Sequence, residues 1–231
     1  MNFISFTRKS LLEGGSLSGE TKDGIVSSER IDLTKVDRDL IIPILEELLR
    51  SISEKYQQDV NRPLWTPEAL KELANLSGSA KHFFSINDID TEKFKPVVSS
   101  VGDIDTMVSI EEGPTLKPFL NKLISSDYIF ELKDPKSKDP KPPVTKVKCV
   151  LLKDTANQLL TIWKMESHIV KQYIQIDFEL VDFDNGKPTE FSIFAHSSDW
   201  EDLSKGVKGA FHKLLLRAIS RVHSIPLIIQ K

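Results

Sequence analysis

The chain has 231 residues, 39% hydrophobic and 28% charged, ordinary values for a soluble globular protein and enough for one sizeable domain. Thirty-one Lys and Arg against 34 Asp and Glu leave a net charge of −3, which excludes a histone-like basic protein and argues against attraction to nucleic acid by bulk charge, although a local basic patch can still act. No apolar run approaches the roughly 20 residues of a membrane span, no signal peptide is legible in MNFISFTRKSLLEGGSLSGE, and the lone Cys149 makes no internal disulfide, so the expectation is a reduced, cytoplasmic setting without a membrane partner.

Residues 1–30 hold four of the ten glycines and few large apolar groups, which predicts a flexible arm. A single domain is expected over 31–231, with a helical part at 33–72 and a sheet with a closing helix at 73–224. Leu40, Ile41, Ile44, Leu45, Leu48 and Leu49 recur at helical spacing and predict an amphipathic helix over 36–55. Thr66-Pro67-Glu68 is a second helix start, a capping Thr followed by Pro, and leads into Leu70 and Leu73. Val101 to Ile110 reads as a strand, Thr115 to Ile124 as a helix and Tyr128 to Leu132 as a strand. Lys133 to Lys146, rich in Lys and Pro, reads as an exposed loop. Strands are expected at Val147–Leu152, Leu159–Lys164 and Tyr173–Val181, with a short edge strand at Phe191–Ala195. Trp200 to Val222 has helical spacing throughout. The fold class is therefore α+β: a mixed or antiparallel sheet flanked by N-terminal helices and a C-terminal helix.

Asp-x-Asp occurs four times, at Asp37/Asp39, Asp88/Asp90, Asp103/Asp105 and Asp182/Asp184, so context must choose among them. The first precedes a helix and suits its N-terminal dipole. The second is loop-like, and the fourth runs into the hairpin signal Asn185-Gly186. Only Asp103-Ile104-Asp105 lies inside an apolar segment. On a strand its two carboxylates share one face, and such a pair is stable when protonated, solvated or neutralised by a cation. In Tyr173-Ile174-Gln175-Ile176-Asp177-Phe178-Glu179-Leu180 the even-numbered residues form an apolar face, and Gln175, Asp177 and Glu179 the opposite one. If the two strands are neighbours, Asp103, Asp105 and Asp177 converge on one point, with hard oxygen ligands suited to Mg²⁺ or Mn²⁺. A third feature is Ser77-Gly78-Ser79, a small-residue turn ahead of a helix start. Such a turn exposes backbone N–H groups that can bind phosphate.

A Gly-Ser turn, then Gly102-Asp103-Ile104-Asp105 on a strand, then Asp177 on a later apolar strand: this order, over roughly residues 70–222, resembles the DNA polymerase beta-like nucleotidyltransferase superfamily. Within it, the wording around Val101–Val108 and Ile174–Phe178 is similar to small stand-alone nucleotidyltransferases, some of them phage-borne. Gly78 and Asp103 stand 25 residues apart, wider than in most relatives, so Ser85 to Ser100 would form an insertion. The resemblance implies a nucleotidyltransferase-like sheet and an Mg²⁺-dependent enzyme with two metal ions held by Asp103, Asp105 and Asp177. It implies that Ser77, Gly78 and Ser79 bind the phosphates of a nucleoside triphosphate such as ATP. The acceptor would be the hydroxyl of an RNA 3′ end, a protein or a small molecule. No tRNA-binding or large helical domain is legible after residue 222, which argues against enzymes that carry one.

The closing helix adds Lys205, Lys208 and Lys213, with His212, Arg217 and Arg221 nearby. These are suited to phosphate, or else they are a solvated helix face. Trp163, Trp200 and Tyr173 can stack a base, though a place in the core or at its rim is the plainer role. His168, His196 and His223 lack zinc-ligand spacing. A second reading, from a different class, is a catalytically inactive protein of the same fold acting as a nucleotide-binding or assembly partner. A metal-dependent nuclease built on acidic strands ranks last.

Overall fold

Apolar residues spaced three and four apart make a helix bury one stripe. In α1 (Arg38–Val60) that stripe is Ile41, Ile44, Leu45, Leu48, Leu49, Ile52 and Tyr56, all nearly sealed from solvent. Pro43 lies inside the helix, near its start, where few hydrogen bonds are lost. The helix runs past the expected residue 55 and ends at Asn61, whose φ of 62° supplies the left-handed turn that closes it. The computed structural model describes residues 17–32, 35, 38–66, 69–70, 76, 100–133, 143–167, 170–190 and 192.

The elements in chain order are β1 (Ser18–Thr21), β2 (Gly24–Ser27), β3 (Ile31–Asp32), α1, β4 (Ser100–Val101), β5 (Ile104–Ser109), a 3₁₀ turn at Ile110–Glu112, α2 (Gly113–Ser125), β6 (Phe130–Lys133), β7 (Val144–Asp154), β8 (Gln158–Glu166), β9 (Lys171–Val181), β10 (Phe183–Asp184) and β11 (Lys187–Pro188). The class is α+β. The main sheet has five strands in the order β5-β9-β8-β7-β6. β5 runs parallel to β9, and the other neighbours are antiparallel, so the sheet is mixed.

Both long helices cover one face. Leu116, Phe119, Leu120 and Leu123 of α2 join the α1 stripe and meet Val147, Cys149, Trp163, Met165, Ile174, Ile176 and Phe178 of the sheet in one apolar cluster. Trp163 is fully buried there, and its indole N–H donates to Thr161 Oγ1 at 2.7 Å; it is a core residue and offers no face to a base. Cys149 is buried in the same layer, and burial pushes its thiol pKa up, so it serves as packing.

Residues 17–32 do not form the expected loose arm. β1 and β2 pair as a hairpin with Thr21 opposite Gly24, and Leu17 and Val26 pack on Ile162, Leu160, Leu151 and Tyr173 on the sheet face away from the helices. A bulge in β7 between Cys149 and Leu151 shifts the register, so that Leu151, opposite Ile162, joins the hairpin side. The hairpin lies close: a Cβ added to Gly19 would come 2.7 Å from Leu151 Cδ2. Residues 1–16 lie outside the described residues.

Two further expectations need correction. Val144–Lys146 belong to β7, paired with β6 through Lys133↔Val144 and Glu131↔Lys146; the Lys-Pro composition hid alternating burial at Thr145 and Val147. The expected edge strand at Phe191–Ala195 is helical at Ser192, as is Glu190 before it. Thr189 Oγ1 accepts the Ser192 N–H at 3.2 Å and caps that turn. Thr66 caps the short helix as expected, with Oγ1 accepting from Ala69 N–H at 3.1 Å. Asn185-Gly186 turns the β10–β11 hairpin, both at positive φ. Among the described residues no helix is long and apolar enough to cross a membrane.

Candidate metal centre

The parallel pairing of β5 and β9 sets Asp105 directly opposite Asp177. Side chains opposite one another in adjacent strands project from the same face, so these two carboxylates share the face that the helices leave uncovered. Asp103, just ahead of β5, turns to the same place. One carboxylate oxygen from each of Asp103, Asp105 and Asp177 lies within 4.8 Å of the others. Like charges so close repel by on the order of 3 kcal/mol per pair at an effective dielectric constant of about 20, and the arrangement persists only if protons, donors or a cation offset that repulsion.

The polar side of β9 is covered: Gln175, Asp177 and Glu179 are 4%, 5% and 8% exposed. Burial pushes the Asp177 carboxyl up to about 7. The charges of Asp103 and Glu179 add to that rise, and a hydrogen bond from Gln175 opposes it. Gln175 Nε2 donates to Asp177 Oδ2 at 2.8 Å. The other oxygen, Asp177 Oδ1, is buried without a hydrogen-bond partner. A buried, orphaned carboxylate oxygen is costly, and here it sits in the group that Asp103 and Asp105 complete. The donors are all hard oxygens, which fits a divalent cation of the magnesium type. The cluster can hold a metal ion.

Ser77, Gly78 and Ser79 lie outside the described residues, as do Lys205, Lys208, Lys213, His212, Arg217 and Arg221. So do Asp37, Asp88, Asp90, His168, His196, Trp200, His223 and the 85–99 stretch. The residue before the turn is described: Leu76, 2% exposed, forms an antiparallel bridge with Thr106, the neighbour of Asp105. Tyr173 packs at the rim of the hairpin layer. Asp182 and Asp184 flank and enter the β10–β11 hairpin and are not among the three carboxylates of the cluster. Asp39 lies in the first turn of α1, where it complements the helix dipole.

Sequence reasoning placed Gln175 and Glu179 on the polar face and gave neither a task. Gln175 hydrogen-bonds a member of the centre, and Glu179 adds a fourth acidic charge to its field. Ser28 and Leu17, which hold Gln175 from the hairpin, fell in the segment expected to be a loose arm. The Asp23-Gly24 step, with Gly24 at a φ of 110°, was the signal for that hairpin. Comparison with protein-family models, with curated proteins and with solved structures finds no match to this chain.

Proposed function

We propose that the chain is a metal-dependent nucleotidyltransferase of the DNA polymerase beta-like type, transferring a nucleoside monophosphate from a nucleoside triphosphate to a hydroxyl acceptor. One observation carries the reading: Asp103, just ahead of β5, and Asp105 on it meet Asp177 on the parallel neighbour, and Asp177 Oδ1 is buried and unpartnered. A merely solvated acidic face would leave its carboxylates in water, whereas Asp177 is sealed. Mg²⁺, bound there, would neutralise charge on the transferring phosphate and lower the pKa of an attacking hydroxyl.

The chain's own residues supply the rest. Asp103 and Asp105 present oxygens from the β5 side. Asp177 presents Oδ1 from β9 and is the carboxylate that draws the proton from the acceptor hydroxyl. Glu179, behind Asp177, holds the local field negative, which favours a cation over a neutral pocket. The triphosphate is assigned to Ser77, Gly78 and Ser79 by the order of motifs, and to Lys205, Lys208 and Lys213 by the positive charge of the closing stretch. Leu76 supports that assignment, because its bridge to Thr106 brings the chain beside β5 one residue before the turn.

The test is label transfer. The protein is incubated with each α-labelled nucleoside triphosphate, Mg²⁺ and total RNA or protein. Labelled product should form with at least one combination, and Asp103→Ala should lower the rate by about 10³-fold or more. Full activity in Asp103→Ala, or no transfer and no triphosphate binding by calorimetry, would overturn the enzyme reading; triphosphate binding without transfer would favour a nucleotide-binding partner instead.

A further inference from the structure

A main-chain N–H can only donate a hydrogen bond. Leu17 N–H points at Gln175 at 2.8 Å, so the atom it meets is the amide oxygen, Oε1. Ser28 Oγ donates to the same oxygen at 3.0 Å and itself accepts from Leu17 N–H at 2.9 Å. With Oε1 taken by the hairpin, the amide nitrogen must face the other way, and Nε2 reaches Asp177 Oδ2 at 2.8 Å. A flipped amide would set N–H against N–H on one side and oxygen against a carboxylate on the other. Gln175 is 4% exposed, so water offers little relief from either clash. One amide orientation survives, and it leaves Asp177 one oxygen tethered and one free.

The tether has a firm anchor. Leu17 and Ser28 close the base of the β1–β2 hairpin, with Ser28 N–H donating to Leu17 O at 2.8 Å. Glu29 N–H donates to Tyr173 O at 2.7 Å, and Lys153 Nζ donates to Ser18 O at 2.6 Å. Lys148 pairs with Asp127 at 3.3 Å, and Lys22 on the hairpin pairs with the same Asp127. The hairpin is thus bound to β7, to β9 and to the residues after α2, on the same face as the carboxylates.

We propose that Gln175 is a positioning residue through which the β1–β2 hairpin orients Asp177, so that Oδ1 alone is turned to a bound cation. The proposal rests on the reading of the three carboxylates as a cation site. Groups that hydrogen-bond metal ligands from behind commonly tune affinity without touching the ion. The hairpin is then part of the site, although it contributes no ligand.

The full-length protein is titrated with Mn²⁺ alone, by calorimetry and by electron paramagnetic resonance, alongside thermal unfolding. Gln175→Met keeps the length of the side chain and removes the donor; it should bind Mn²⁺ about 10- to 100-fold more weakly than the wild type. Ser28→Ala leaves the interior of β9 untouched and keeps Leu17 N–H on the amide; its loss should be smaller, a few-fold. Asp177→Asn is the control and should lose the site. A purely structural role for Gln175 would shift the unfolding temperature and leave affinity and the Mn²⁺ spectrum alone. Wild-type affinity in both variants, or in Ser28→Ala alone should Gln175→Met not fold, overturns the proposal. Absence of Mn²⁺ binding in the wild type, or unchanged binding in Asp177→Asn, refutes the underlying cation site, and the proposal with it.

Discussion

Both faces of β9 are buried over Ile174–Glu179, and they are built on opposite terms. The helix-covered face is apolar almost throughout: Ile174, Ile176 and Phe178 alternate along β9 and meet Leu48, Leu120 and Trp163. The opposite face of the same strand carries Gln175, Asp177 and Glu179, each less than 10% exposed. The first face gains stability from area removed from water. The second gives some of it back, because it hides charge and leaves Asp177 Oδ1 without a partner. Residues that cost stability where they stand are expected to serve a function.

Substitutions should therefore change sign from one face to the other. On the helix side, Trp163→Ala removes a fully buried ring and should cost about 3–5 kcal/mol in urea unfolding. On the carboxylate side, Asp177→Asn should stabilise the cation-free protein. The folded state holds the Asp177 proton more tightly than the unfolded chain does, since its pKa is raised from 3.8 to about 7. Stability due to this group is thus greatest at low pH, falls between about pH 4 and 7, and the full cost is present above 7. At pH 8 with a chelator present, the Asn variant should gain on the order of 2–4 kcal/mol. A loss instead would mean that the second face is ordinary core.

Acidity also sharpens the contrast in binding. A cation must displace the Asp177 proton below about pH 7. Mn²⁺ affinity should therefore rise up to roughly tenfold per pH unit towards 7 and level off above it, as titrations at pH 5.5, 6.5 and 8 would record. The smallest effect belongs to neither face. The Lys117–Asp154 pair, at 2.5 Å, joins side chains that are each about half exposed, and Lys117→Ala should leave the melting temperature unchanged in scanning calorimetry.

The sheet was legible in the sequence where one face is purely apolar. Period-two alternation over Tyr173–Leu180 marked β9 and set Asp177 on its own face, and an apolar setting isolated Asp103 and Asp105 from three other Asp-x-Asp pairs. What alternation cannot show is pairing: the register of Asp105 against Asp177 joins residues 72 apart in the chain through a parallel neighbour. Burial on the polar side of β9 was hidden for a related reason, because the residues that cover it are distant in sequence. Val144–Lys146 read as loop in the sequence because Lys and Pro dominate their surroundings, although Thr145 is buried. The β1–β2 hairpin was missed since its strands hold mostly small and polar residues, and only Leu17 and Val26 anchor it to the second apolar cluster.

The single sulfhydryl of the chain is sealed between α2 and the sheet and held protonated. Maleimide dyes, which need an accessible thiolate, should leave Cys149 alone while the protein is folded. Ile25, on β2 and 84% exposed, is then a ready attachment point: a fluorophore on an Ile25→Cys variant would mark one position without competition, and could report whether the hairpin shifts when a cation arrives.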